Sequence, residues 1–107
     1  MSIYPTGVFM TRVKLMAESQ ARTDRQNRTI SRIHRIQGQL SALERAIEEG
    51  RDCEHRVTQA LAIEKAVSSL TNHMLEGYIE HQARGQIHSD PDATLDEIKR
   101  LFKLMLK

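Results

Sequence analysis

The sequence predicts an all-α fold, with two long amphipathic helices joined by a tight turn and a short third helix after them. Three observations predict it. Apolar residues recur at helical spacing over residues 33–47, 57–79 and 95–106, and no stretch alternates as a half-buried strand does. The strongest breakers fall between those segments, at Gly50 and at Gly85 to Pro91. The palette is aliphatic: apolar residues make up 39% and aromatics only 4%, without Trp, so a core must be built from Leu, Ile, Val, Met and Ala. A chain of 107 residues makes one domain, and alone it buries only a modest core.

Residues 1–21 contain Pro5 and Gly7 and show no sustained period. They read as a flexible N-terminal extension with at most a short helical turn over residues 10–17, and Met16 is an alternative start. Residues 22–107 form the folded domain. Thr23 with Gln26 makes a capping-box pattern, which starts the first helix near Asp24. That helix runs to Glu49, with Gly50 at the C′ position. Gly38, inside it, suits a close approach of another backbone, because Gly in mid-helix costs about 1 kcal/mol against Ala. Asp52 is a good N-cap for the second helix, which should last to Gln82 or Ala83 and span roughly 45 Å. Residues 84–91 read as a polar connection. Thr94 with Glu97 gives a second capping box, and Leu95, Ile98, Leu101, Phe102, Met105 and Leu106 then form the amphipathic third helix.

A lone pair of helices cannot cover both of its wide apolar stripes. A dimer forming an antiparallel four-helix bundle does so with the fewest parts.

Charge divides the chain unequally. The net charge is +2, yet residues 1–35 carry seven basic against two acidic side chains, while residues 36–107 carry nine against twelve. Five of the basic groups, Arg22, Arg25, Arg28, Arg32 and Arg35, occupy an arc of about 140° on the first helix. One-signed charge confined to one face favours a polyanion over a merely solvated surface. Cys53 is the only cysteine, so no intrachain disulfide forms and a reducing cytoplasm is the expected location. Neither a signal peptide nor a run of the ~20 apolar residues needed for a membrane span is present. No nucleophile–base–orienter set or phosphate-cradling loop is visible, which argues against an enzyme.

The run RIHRIQGQLSALERAIEEGRDCEHRVTQALAIEKAVSSLTNHMLEGYIEH resembles the CsoR/RcnR/FrmR repressors, bacterial sensors of copper, nickel or cobalt, formaldehyde and persulfides. The marks are Arg35-Ile36-Gln37-Gly38-Gln39 in the first helix, Cys53 opening the second, and the A-V-x-x-L run ahead of a polar tail. The resemblance implies a three-helix protomer, a dimeric four-helix bundle and a dimer of dimers, hence a homotetramer. It also implies double-stranded operator DNA as the partner, bound without a helix-turn-helix and released when an inducer binds. Arg32, Arg35 and Gln37 match positions that the family uses at or near DNA, and Arg22, Arg25 and Arg28 extend the same strip. Guanidinium groups suit phosphate because they stay charged and donate in pairs.

The inducer site departs from the family pattern. Cys53 matches its first thiol, but Tyr78 stands where the metal sensors place His, and Gln82 where they place Cys or His. Cys53, Tyr78 and Gln82 suit neither Cu(I) nor tetrahedral zinc. A transition metal such as Ni(II) or Co(II) would have to use Cys53 with His55 or His81. His73 and His81 are eight residues apart and form no i, i+4 clamp. The formaldehyde branch needs an N-terminal Pro amine where this chain has Gln20, and the persulfide branch needs a second cysteine. Cys53 itself faces the positive end of a helix dipole, with Arg51 and Arg56 adding to that field and Asp52 and Glu54 opposing it. Three readings follow. The chain is a repressor induced at or near Cys53, an orphan repressor that has lost its effector site, or a helical module whose Arg strip binds RNA or an acidic protein.

Overall fold

The computed structural model describes residues 6–107, with side chains placed from Thr11 onward apart from that of Glu18. Every regular element among the described residues is helical: α1 (Thr6–Glu48), α2 (Cys53–Tyr78), a π-helical turn (Ile79–Ala83), α3 (Arg84–Ser89) and α4 (Pro91–Met105). The all-α prediction holds. None of these helices is long and apolar enough to cross a membrane. The chain divides into two compact units, Met1–Leu70 and Thr71–Lys107, and α2 contributes to both.

In the first unit α1 and the start of α2 make an antiparallel hairpin. Gly50 closes α1 with φ of +71°, the left-handed conformation that glycine adopts without a Cβ clash. Its N–H donates to the Ile47 carbonyl at 3.1 Å, and the Arg51 N–H donates to the Ala46 carbonyl at 2.9 Å, a Schellman closure. Asp52 then caps α2, its Oδ1 accepting the His55 N–H at 3.1 Å. Register is fixed farther along the hairpin, where Arg32 Nη1 donates to Ser69 Oγ at 3.0 Å. Those two residues lie equally far along the chain from the turn.

The covered positions are Arg25, Thr29, Arg32, Ile36, Gln39, Leu43 and Ala46 on α1, and His55, Arg56, Gln59, Ala60, Ile63, Ala66 and Leu70 on α2. Steps of four and three alternate along α1, as in a coiled-coil seam. Among the described residues of this unit, Ile36, Ala46 and Ile63 are the buried apolar ones. Polar groups share the seam: Gln39 Oε1, Gln59 Oε1 and Arg56 Nε are enclosed without a hydrogen-bond partner. A second apolar stripe stays outside, with Ile30, Leu40 and Ile47 on α1 and Val57, Leu61 and Val67 on α2 between 44% and 54% exposed.

Several local expectations need correction. Thr23 does not start α1; its Oγ1 donates back to the Ser19 carbonyl at 3.1 Å inside a continuous helix. No Gly or Pro interrupts residues 8–24, and Gln20 Nε2 bonds Asp24 Oδ1 one turn on, at 3.0 Å. Of the expected extension, residues 1–5 lie outside the described residues and residues 6–21 are helical in α1. A Cβ added at Gly38 would meet nothing within 4 Å, so no backbone of the same protomer approaches closely there.

In the second unit the helix continues through the expected connection. The Arg84 N–H donates to the Ile79 carbonyl, five residues back, which defines the π turn, and α3 then carries Gly85 and His88 in helical conformation to Ser89. The break comes at Asp90, with φ −148° and ψ 79°, because Pro91 lacks the N–H that would continue the ladder. Asp90 is also the true cap of α4, its Oδ1 accepting the Ala93 N–H at 3.2 Å. Thr94, expected as the cap, is the most buried residue here at 0% exposure, and its Oγ1 donates to the Asp90 carbonyl at 2.8 Å. Thr94, Glu97, Ile98 and Leu101 turn inward on α4, while Leu95, Phe102 and Leu106 remain exposed.

Capping energetics test these assignments. Asp90→Ala and Gly50→Ala should each lower unfolding free energy by about 1 kcal/mol in urea titrations. Thr23→Ala should leave the midpoint unchanged; a loss comparable to that of Asp90→Ala would restore Thr23 as the start of the helix.

Candidate nucleic-acid interface and sensor residues

The five strip arginines lie in the first unit on one unbroken helix, but they are not equivalent. Arg22, Arg28 and Arg35 are exposed, as is Gln37, whereas Arg25 and Arg32 turn toward the hairpin seam and are half-buried. The same rotation that buries Ile36 brings Arg32 against α2. There Arg32 and Arg35 line a small cleft of about 120 Å³ with Ile36, Ala66 and Ser69. The Ser69 bond takes one of the five N–H donors of Arg32 and leaves the others for a second acceptor. A serine anchor costs the guanidinium no charge, so it orients Arg32 without neutralising it. Ser69 carries no signal of this role in the sequence; only the hairpin register reveals it.

The sensor candidates fall in both units. Cys53 is a free, exposed thiol at the first residue of α2, next to the capping Asp52, and His55 is half-buried in the same turn. His81 and Gln82 are exposed in the π turn of the second unit. Single π turns are frequent at functional sites, and this one ends the periodicity on which their placement rested. Among the described residues no group of three or more His, Cys, Asp or Glu side chains gathers to hold a metal ion. The described residues of one protomer therefore do not by themselves make a metal site.

Tyr78, the third sensor candidate, lies in a groove of about 290 Å³ formed between α2 and α4. Its hydroxyl is enclosed and makes no hydrogen bond of acceptable geometry. Burial raises its pKa above the ordinary 10.0, and the neighbouring Glu97 raises it further, while Arg100 has a smaller opposite effect. In sequence Glu97 belongs to a capping-box pattern; its position beside Tyr78 is a tertiary fact without a local signature.

Comparison with known proteins adds independent findings. The family model for metal-sensitive transcriptional repressors matches residues 25–104, a span that holds every site candidate except Arg22. An uncharacterized protein in the bioA 5′ region of Serratia marcescens is 35% identical over 81 residues, covering 75% of this chain and 87% of that one. The copper-sensing transcriptional repressor CsoR of Bacillus subtilis (strain 168) is 28% identical over 78 residues, covering 72% of this chain and 77% of its own. No solved structure matches the chain.

The raised Tyr78 pKa has a definite sign in stability. The folded state holds the phenolic proton more tightly than the unfolded chain, so this contribution is complete below pH 10.0 and is lost as pH rises through the higher folded value. Urea titrations on either side of pH 10 should show an alkaline loss of stability that is smaller in Tyr78→Phe. An identical loss in both proteins would contradict the enclosure of the hydroxyl.

Proposed function

The chain belongs to the family of metal-sensitive transcriptional repressors, and on that premise we propose that it binds operator DNA through the α1 arginines and releases it when an inducer acts at or near Cys53. The supporting observation is the strip itself: Arg22, Arg28, Arg35 and Gln37 are exposed along one helix, and Ser69 holds Arg32 in register with them. Arg25 completes the strip. Contacts of this kind grip phosphates and set the protein's position on the duplex; base reading would come from elsewhere. The working domain is residues 22–107, with residues 1–21 as an extension. The protein acts as a homo-oligomer in the cytoplasm. A second copy would cover the exposed stripe of Ile30, Leu40, Ile47, Val57 and Leu61, which a solitary hairpin leaves in water.

Cys53 is the group on which an inducer acts, with Tyr78 and Gln82 as the family-matched companions. Soft Cu(I) prefers thiolate and imidazole, and this set offers one thiol and two oxygen-bearing side chains, so copper is disfavoured. Alkylation or oxidation of the exposed thiol, or Ni(II) or Co(II) held by Cys53 with His55 or His81, fits the donor chemistry better. Because the described residues of one protomer gather no three metal-ligating groups, a second copy would supply further ligands to such a metal. The same observation favours one rival reading, an orphan repressor without an effector.

Gel-shift titration separates these readings. Arg32→Ala combined with Arg35→Ala should abolish operator binding while sedimentation shows the oligomer intact; unchanged affinity would sink the DNA assignment. Ser69→Ala should weaken binding by only about threefold, since it frees Arg32 without removing its charge. Release by Ni(II), Co(II), Cu(I), Zn(II), formaldehyde or persulfide that disappears in Cys53→Ala supports induction at Cys53. Tight binding that none of these disturbs supports the orphan.

A further inference from the structure

We propose that the groove between α2 and α4 in the second unit binds a small apolar molecule ending in a protonated primary amine. Its apolar walls are Met74, Leu75, Leu101, Leu104 and Met105, and its polar residues are Thr71, Tyr78 and Glu97. At about 290 Å³ it lies at the lower limit of small-molecule pockets, room for a short chain or a single ring rather than a nucleotide. Met side chains adapt their shape to such a guest at little cost.

The polar groups select the headgroup. Glu97 is half-buried and offers only acceptor oxygens, and the enclosed Tyr78 hydroxyl lies beside it with its own oxygen open to a donor. An ammonium supplies three donors, enough to satisfy both groups at once, and the Tyr78 ring adds a favourable face for a cation. A carboxylate guest would instead meet Glu97 as a like charge. Arg100 is exposed and does not line the groove, whereas Glu97 does, so the charge inside it is negative. This occupancy does not rest on the DNA contact, although it uses Tyr78, which the inducer reading also names; hexylamine binding that survives Cys53→Ala separates the two.

Isothermal titration of the full-length protein with hexylamine, 1-hexanol and hexanoate tests it. Hexylamine should saturate and bind about tenfold or more tightly than hexanol, the margin expected of a hydrogen bond to a charged group, and hexanoate should not bind. Glu97→Gln should reduce the amine-to-alcohol ratio to about one. Leu101→Trp, which fills the groove, should abolish hexylamine binding with helicity and sedimentation unchanged. Failure of hexylamine to saturate by about 10 mM overturns the proposal, as it would if a second copy covered the groove. An amine-to-alcohol ratio unaltered by Glu97→Gln overturns it as well.

Discussion

A two-helix hairpin has one seam, and this chain has more apolar surface than one seam can cover. In the first unit the seam buries Ile36, Ala46 and Ile63, and Ile30, Leu40, Ile47, Val57, Leu61 and Val67 are left largely in water. Burial returns roughly 25 cal/mol per Å² of apolar area, so exposed aliphatic side chains of this size are a substantial unrealised stabilisation. Much else depends on that imbalance. It gives the hairpin a reason to associate, and it makes the rotation of each helix about its axis consequential, because rotation decides which stripe is spent inside the protomer.

Rotation also governs the arginine strip. The helix face that carries Ile36 into the seam carries Arg25 and Arg32 with it, so a strip that is uniform in sequence becomes two classes of guanidinium in space. Arg32 is anchored to Ser69, and Arg22, Arg28 and Arg35 stay exposed. A flexible cation loses rotamer entropy when it grips a phosphate; one already held by a neutral hydroxyl has less to lose. The polar groups in the seam carry a cost in the opposite direction. Gln39, Gln59 and Arg56 each enclose an atom without a partner, which weakens the hairpin.

The second unit has a different economy. Asp90 stops one helix and starts another within a single residue, and Thr94 is buried beneath that corner with its hydroxyl returned to the Asp90 carbonyl. The corner folds α4 back along the end of α2, which brings Glu97 beside Tyr78. Tyr78 is thus a phenol in an apolar groove with one carboxylate beside it. Its chemistry is that of hydrogen bonding rather than of soft metal ligation.

Helix content, the turn at Gly50 and Asp52, the one-sided charge of α1 and the lone thiol at the start of α2 were all determined by sequence, because each depends on residues within a turn or two of one another. Left-handed glycine and an aspartate cap are local chemistry, and helical spacing fixes which side chains share a face. The two capping boxes misled for the same local reason: Thr23 and Thr94 have the right neighbours, but an uninterrupted α1 and the stronger stop at Asp90-Pro91 override them. The π turn gave no sequence sign, and residues 84–89 remained helical despite Gly85 because nothing there removes a backbone donor. Tertiary structure alone decided the pairs Arg32–Ser69 and Tyr78–Glu97. Each joins residues far apart in sequence, and whether they meet depends on how one helix is rotated and where another folds back, which packing sets and spacing does not.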